Sequence, residues 1–562
     1  MIQHQSRDGL RRSSQGFGGT LLLTMDILQH VLAMILAVTL IGALGKRVPI
    51  PLPLLLVGGG VGLSAIPGFE KIELEPEIFF ALFIPPLLFA DSWLLPKREF
   101  YQLRYSIMLL AFGLVFVTML AVGYGLHLLI PSLPLAACFA LGAVVSPTDA
   151  VAVSALTQKV RLPNRSANVL AGESLINDAS GLVAFKFAIA AVLTGSFSLE
   201  QAAMSFFALV IGGLLTGIAI AGFVQWLRLS LVRRGLRDPS VSVALSVLTP
   251  FAAYLVGEQL FHFSGILAVV AAGFYAGMHD TKHLETDIRL HASNVWTMLL
   301  FVFNGLVFLL LGLQLRSVFA GISGYNWHEL LYYALAVSGM VIAVRLLWMF
   351  PFSRVSTWLM RLHDPDVPTP PWRNVFITGW AGVRGAVTLA GALSIPLMAG
   401  EAPFPGRHLL IFLATSVIIA TLLINGLTLP LFIRWFRVQA DDIVERETQA
   451  ARVATTEAAI KSLMEMSTAE LPEEQRYFLL RLIEEYERRL LHHAYPDTEK
   501  GQMARTHIER ESSVRLRALA AERKELHRLR QDGVINDETL RTIQLDIDYA
   551  ESSLIGGTHG MS

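Results

Sequence analysis

Cysteine is almost absent from the sequence: the 562 residues contain one, Cys138, and it lies inside an apolar stretch. A single thiol excludes disulfides within the chain and metal sites built from several cysteines. Charged residues are scarce as well, at 16%, whereas a soluble domain carries about a quarter. The 45 basic and 45 acidic residues give a formal charge of zero, so we expect no nucleic-acid partner.

Two further patterns that would indicate other classes of protein are missing. The phosphate-binding motif G-x-x-x-x-G-K-[ST] does not occur, so direct drive by ATP is not expected. The first 20 residues are polar and lack the apolar core of a secretory signal peptide. Met1 and Met25 are both candidate start codons, and a start at Met25 would make residues 1–24 a dispensable N-terminal leader.

Apolar residues make up 53% of the chain and gather into stretches of about 20, the length that crosses a hydrocarbon core of about 30 Å. This pattern predicts an all-α polytopic membrane protein with about 13 transmembrane helices over residues 25–437. Charges concentrate after that region, so residues 438–562 are expected to form a helical tail. The predicted spans are 25–45, 50–67, 77–95, 105–129, 134–157, 167–195, 199–227, 239–258, 263–278, 291–315, 328–351, 374–398 and 408–436.

Basic residues predict the orientation of these spans, because loops rich in lysine and arginine face the cytoplasm. One set of alternate loops is basic, whereas the opposite loops hold only Lys71, Arg316 and Arg407. The C-terminal tail follows the last span on the same side as the basic loops, so we expect it in the cytoplasm.

The sixth predicted span carries acids where a membrane helix normally carries leucine, in the stretch GESLINDASG. Asp178 lies about 11 residues into this span, or roughly 17 Å at 1.5 Å per residue, close to the bilayer centre. Ser174 is four residues earlier on the same face, and Glu173 with Asn177 forms a second such pair on the adjoining face. An ionisable group at this depth is a functional candidate, and a polar cluster that only ties helices together is the alternative.

The fifth span, with the stretch SPTDAVAV, is predicted to be interrupted at Pro147, which lacks an N–H and clashes with the preceding turn. We expect Ser146 to cap a second half-helix that begins at Pro147, with Asp149 in its first turn and Thr148 offering a hydroxyl. The interruption frees backbone carbonyls, as at the ion sites of secondary transporters, while a tolerated proline kink is the alternative.

The twelfth span, with GWAGVRGAVTLAGAL, is predicted to be interrupted too, because glycines flank Arg384. We expect Glu173 to pair with this arginine, and bonding to freed backbone carbonyls is the alternative. If spans 1–6 and 8–13 are inverted six-helix repeats, spans five and twelve are equivalent and cross as discontinuous helices. In the third span Asp91 follows a kink at Pro85 and Pro86, and is either part of this site or an interfacial acid.

The stretches PPLLFADSW, SPTDAVAV, GESLINDASGLV and GWAGVRGAVTLA occur in an order that resembles monovalent cation–proton antiporters of the first cation–proton antiporter family, of the bacterial sodium–proton exchanger type. The resemblance covers residues 25–437. It implies a homodimer among the lipids of the cell inner membrane, with a dimerisation domain and a mobile core domain. It also implies that Asp178 carries ion and proton, that Ser174 and Thr148 are ion ligands, and that Asp91 is a further ligand.

The same resemblance assigns supporting roles. Glu173, Asn177 and Arg384 fall where the family has stabilising polar residues, and Asp149 falls on the acid of the crossed-helix region. The Asn177–Asp178 pair implies exchange of one ion for one proton. Many members carry glutamate at the position of Asp91, and the shorter side chain here weakens the case for direct ion contact.

One buried carboxylate is sufficient for exchange, because burial disfavours its charged form and it then holds either a proton or a hard cation. We therefore expect a secondary antiporter with no cofactor and no enzymatic reaction. The alternatives are a sodium-driven symporter of an organic anion, and a channel or sensor that only binds ions. The ligand types leave Na⁺, K⁺ and Li⁺ open, with Na⁺ as the expectation.

The tail is rich in Glu, Arg, Ala and Leu at helical spacing, which predicts helical hairpins. Asp532 and Gly533 form a turn signal, and Asn536 is expected to cap the last helix. A regulator that binds the tail and a plain solvated or dimer-supporting tail are both compatible with this composition.

Overall fold

The structure is a computed structural model of the chain. It divides into two compact units, one up to residue 440 and one from residue 441 onward. The leader predicted at residues 1–24 and the alternative start at Met25 lie outside the described residues. The described residues are 28–48, 50–69, 76–157, 160, 162–195, 199–283, 286–322, 324–438, 442–467 and 472–559.

Among the described residues of the first unit, the regular structure is helical apart from one two-stranded antiparallel sheet, β1 (Met398–Ala399) with β2 (Ala402–Pro403). Three short π-helical segments, Leu109–Leu114, Val256–Leu260 and Thr421–Asn425, continue neighbouring α-helices. The α-helices are α1 Leu28–Gly45, α2 Leu52–Ser64, α3 Pro76–Leu82, α4 Ile84–Leu94, α5 Lys97–Gln102, α6 Arg104–Met108, α7 Val115–Leu129, α8 Leu135–Val144, α9 Ala150–Thr157, α10 Asn164–Thr194, α11 Leu199–Arg233, α12 Pro239–Leu255, α13 Gly265–His283, α14 Thr286–Gly321, α15 Trp327–Arg361, α16 Trp372–Trp380, α17 Ala386–Leu393, α18 Arg407–Ala420 and α19 Gly426–Trp435.

Length and composition suit these helices to a membrane. Within the described ranges, nine helical stretches are long and apolar enough to cross a bilayer, and three shorter apolar helices accompany them. A helix satisfies its own backbone hydrogen bonds, which is what hydrocarbon surroundings demand. The predicted class, an all-α polytopic membrane protein, is confirmed; the number of 13 spans and their repeat symmetry stay predictions.

Two groups of helices pack mainly among themselves. Bundle A contains α2, α4 and α11 to α14, and bundle B contains α7, α8, α10, α15, α17 and α18. Small residues let backbones approach closely, as membrane helices require. In bundle A, a Cβ on Gly60 would lie 2.1 Å from the Leu309 carbonyl oxygen, and one on Gly312 would lie 2.1 Å from that of Val57. Any side chain at these two glycines would therefore separate α2 from α14.

In the described part of the first unit, two interrupted helical paths meet each other. The first break separates α8 from α9 and the second separates α16 from α17. The breaks meet, because the Asp149 amide donates to the Val383 carbonyl at 2.8 Å. At Gly385 a Cβ would lie 1.8 Å from Asp149 Oδ2, so the close approach requires glycine.

The second unit consists of four consecutive helices, α20 (Ile443–Ser467), α21 (Glu473–Ala494), α22 (Glu499–Gln531) and α23 (Asp537–His559). Each packs on the next along the chain. Gly533 takes a positive φ of 71° in the turn after α22. The Thr539 amide donates to Asn536 Oδ1 at 2.7 Å, which confirms the predicted cap of α23.

Candidate functional site

A cavity of about 40 Å³ lies between bundle A and bundle B, where the two breaks meet. It is lined by all four residues predicted to bind the ion, together with the acid of the first break. A volume of this order has room for a water or a small ion, since one water requires about 10–15 Å³. The predicted residues that line it are Asp91, Thr148, Asp149, Ser174 and Asp178.

Asp178 projects into this cavity from α10, and its side chain is 7% exposed. Asp91 of α4, in the opposite bundle, lines the same cavity. Two polar residues of the lining were missed from the sequence, Asn304 of α14 and Thr388 of α17. Single amide and hydroxyl groups inside apolar stretches give little signal, because many such groups bond only within their own helix.

The local geometry of the first break differs from the expectation. Ser146 Oγ donates back to the Ala143 carbonyl at 2.7 Å, and α9 begins at Ala150 rather than at Pro147. Asp149 precedes the helix, and its Oδ1 accepts from the Ala152 amide at 2.9 Å. The prediction that Ser146 caps the half-helix is therefore wrong. The physical reason is the bond of the Asp149 amide across to the Val383 carbonyl of the second break, which holds this segment outside the helix.

Thr148 stands at the centre of a buried hydrogen-bond chain. Its hydroxyl donates to Glu173 Oε1 at 3.2 Å and accepts from Asn177 Nδ2 at 2.9 Å. Ser174 Oγ accepts from the Ala150 amide at 3.2 Å. These bonds fasten the first break to α10, so Glu173 and Asn177 hold Thr148 in place. A hydroxyl oxygen has two lone pairs, so Thr148 Oγ1 keeps acceptor capacity.

The partner of Glu173 is Arg345 of α15. Arg345 Nη1 donates to Oε1 at 2.5 Å and Nη2 donates to Oε2 at 2.9 Å, while both side chains are 1% exposed. Arg345 Nε also donates to the Gly379 carbonyl at 3.0 Å. The prediction that Glu173 pairs with Arg384 is therefore wrong. A lone arginine inside the apolar span 328–351 was the signal that could have identified this partner.

Arg384 instead bonds backbone carbonyls of both breaks, which was the alternative. Its Nε donates to the Val145 carbonyl at 3.0 Å, and its Nη1 donates to the Gly382 carbonyl at 2.5 Å. The side chain is fully buried. Interrupted helices leave carbonyls without helical partners, and a guanidinium group with five donors is well suited to satisfy several of them.

Lys186 lies farther along α10 and forms an ion pair with Glu258, in the π-helical segment after α12. Glu258 Oε2 also accepts from the Gly265 amide at 3.0 Å. The lysine side chain is 55% exposed and the glutamate side chain 30%. The pair therefore joins α10 of bundle B to the π-helical segment that continues α12 of bundle A.

Broken helices that meet beside buried carboxylates in a polytopic membrane fold define an ion-coupled secondary transporter. The family described as "Sodium/hydrogen exchanger, transmembrane" matches residues 31–435. This match covers well over half of the chain, which belongs to the sodium/hydrogen exchanger family. It is thus a monovalent cation–proton antiporter, and the alternative of an organic-anion symporter is not supported.

Relatives agree with this assignment. The sodium, potassium, lithium and rubidium/H⁺ antiporter of Bacillus pumilus is 39% identical over 92% of this chain and 77% of its own length. The Bacillus subtilis protein of the same name is 37% identical, over 95% and 79%. An uncharacterized Na⁺/H⁺ exchanger of Escherichia coli, YjcE, is 36% identical, over 94% and 99%. The solved sodium proton antiporter MjNhaP1 of Methanocaldococcus jannaschii shares the fold, with a TM-score of 0.55 and 17% identity over 73% of this chain and 98% of that one.

Proposed function

We propose that the chain exchanges one Na⁺ for one proton at Asp178, which binds the two in turn. The observation that carries this proposal is the position of Asp178 in the cavity between the bundles, beside the two breaks. The Bacillus relatives are named for sodium, potassium, lithium and rubidium, so we expect the heavier alkali ions to compete with Na⁺.

Oxygen ligands for the ion come from Asp178, Ser174, Thr148 and the carbonyls of the first break. Hard cations such as Na⁺ prefer these ligands. Asp91 supplies a further carboxylate from the opposite bundle and contributes mainly through its charge. Asp149 is held by its bond from the α9 amide, so its role is to fix the break.

Because Asp178 binds either a proton or Na⁺ but not both, the fluxes of the two ions are coupled. Asp178 is neutral when it carries a proton, and its charge is balanced when it carries Na⁺. When Asp178 carries neither ion, bundle B moves poorly between its two orientations, because the bare carboxylate would be a charge in a low-dielectric barrier. Each cycle then moves one positive charge in each direction, so the exchange is electroneutral.

Movement of bundle B against bundle A would expose the cavity to the two sides alternately. We propose 13 spans over residues 25–437 in two inverted repeats, a homodimer in the cell inner membrane, and residues 438–562 as a cytoplasmic tail. The asymmetry of basic residues between alternate loops supports this orientation. Such a transporter would serve pH homeostasis.

The test uses purified protein in liposomes that contain a pH-sensitive dye. An imposed Na⁺ gradient should drive proton flux in the wild type, and Asp178→Asn should abolish it. The matched control is Asp238→Asn, because exposed Asp238 caps α12 through its side chain and asparagine caps equally well. Monodisperse Asp178→Asn protein that retains Na⁺-dependent proton flux would refute the role of Asp178.

A further inference from the structure

The middle of α14 carries one polar side chain inside an apolar stretch. Residues 298–313 contain Asn304 and, apart from it, only apolar residues and glycine. Asn304 lies at the midpoint of α14, which runs from Thr286 to Gly321 and is long enough to cross a bilayer. A polar group at this depth is unfavourable unless it finds a polar partner, so the amide calls for one.

The partner of this amide is not another part of the protein. The Asn304 side chain forms no hydrogen bond with any residue that the structure describes. By contrast, Thr297 of the same helix donates to the Ser293 carbonyl at 2.7 Å. Asn304 instead borders the cavity that the Asp91 and Asp178 carboxylates also line. The group that satisfies the amide therefore has to enter this cavity.

Contacts on both sides fix the backbone at Asn304. The ring of Phe303 packs edge-on against that of Phe83, which precedes α4, with centroids 5.7 Å apart. At Gly305 a Cβ would lie 2.2 Å from Val38 Cγ1, so α1 and α14 approach each other closely. Asn304 is thus presented to the cavity by a well-packed helix, and a binding group that is already held in place suits an ion site.

The cavity is small enough for an ion inside it to reach this amide. Its volume of about 40 Å³ is that of about three waters. The ligands of the proposed site, Asp178, Ser174 and Thr148, belong to α10 and to the first break. Asn304 lines the cavity from α14, on the side of bundle A. An ion between these groups therefore meets oxygen atoms from both sides.

We propose that the side-chain carbonyl of Asn304 is a ligand of the transported cation, supplied by bundle A; this inference rests on the proposed ion site at Asp178. Hard cations bind amide oxygens in addition to carboxylates. An amide does not titrate, so Asn304 strengthens cation binding while the competition with the proton stays at Asp178. Because Asn304 does not travel with bundle B, movement of that bundle breaks the contact and favours release of the ion.

Flux measurements in liposomes test the proposal through the Na⁺ concentration that gives half-maximal exchange. Asn304→Leu removes the oxygen and keeps a side chain of similar length. This concentration should rise about tenfold, the loss of one contact to a charged group, while the maximal rate stays within about twofold. Asn304→Asp keeps the shape and an oxygen, so at alkaline pH it should need no more Na⁺ than the wild type.

The matched control is Asn294→Ala, because Asn294 is an exposed asparagine of the same helix and does not line the cavity. It should leave both quantities unchanged. Where Asn304→Leu does not yield monodisperse protein, Asn304→Ala provides the same comparison.

Three results would overturn the inference. Wild-type Na⁺ dependence in Asn304→Leu would show that the side chain only fills space. An equal loss in Asn304→Asp would assign the role to the amide N–H groups, and an equal loss in Asn294→Ala would show that the effect is not specific to the cavity. Exchange retained by Asp178→Asn would instead remove the proposed function itself. An inactive Asp178→Asn beside a wild-type-like Asn304→Leu would remove the ligand role of Asn304 alone.

Discussion

The buried ion pair between Glu173 and Arg345 is expected to contribute strongly to the stability of bundle B. Two charge-assisted hydrogen bonds of 2.5 and 2.9 Å join the groups, and each side chain is 1% exposed. Glu173→Gln keeps the shape of the side chain but leaves the guanidinium charge buried without its counter-charge. The informative perturbations are therefore Glu173→Gln, Arg345→Met and the two substitutions together.

The expected magnitude follows from burial. Removing one partner of a buried ion pair costs about 3–5 kcal/mol, because the other charge stays buried and unpaired. Removing both partners leaves no isolated charge. The double variant should therefore lose less stability than the two single variants combined, with a coupling of about 1–3 kcal/mol.

The assay is reversible unfolding in mixed micelles, which yields the free energy of unfolding of each variant. Arg489→Gln in the tail is the reference, because its pair with Glu485 is exposed and should contribute at most about 1 kcal/mol. A loss below about 1 kcal/mol for Glu173→Gln, or strictly additive losses in the cycle, would refute the reasoning.

Two further predictions concern the break and the contact between the bundles. Gly385→Ala should abolish folded yield and transport in a membrane expression assay, because its Cβ would lie 1.8 Å from a carboxylate oxygen. The control Gly339→Ala should be tolerated, because no atom lies within 4 Å of the position of its Cβ. Lys186→Glu should change the turnover of exchange by up to about fivefold, the equivalent of about 1 kcal/mol for an exposed pair. The swap Lys186→Glu/Glu258→Lys should restore it in the same flux assay, and failure of the swap to do so would count against a bridging role.

The sequence was most informative where one physical constraint dominated. Apolar stretches of about 20 residues predicted the helices, since hydrocarbon leaves the backbone few alternatives. Pro147 and the glycines around Arg384 predicted both breaks, because each residue type weakens a helix for a local reason. These features depend on residues that are neighbours in the chain, so the sequence alone reveals them.

Partners across the fold were not predictable in the same way. Arg384 was the expected counter-charge of Glu173 and Arg345 was overlooked, because helical spacing does not rank arginines on other helices. The start of α9 was also misplaced, because a hydrogen bond from Asp149 to the second break outweighs the local capping preference of Ser146. Both errors arose where tertiary contacts decide between local options of similar energy.

The two corrected contacts bear on the proposed mechanism. Two guanidinium groups are buried near the junction of the breaks, and either would neutralise Asp178 permanently if it bonded there. Arg345 is bound by Glu173, and Arg384 is bound by carbonyls of the two breaks. Because both cations have other partners, a transported ion need not displace an arginine from Asp178. An exchange site built on a single carboxylate requires this separation, since a fixed counter-charge would remove the competition between proton and cation.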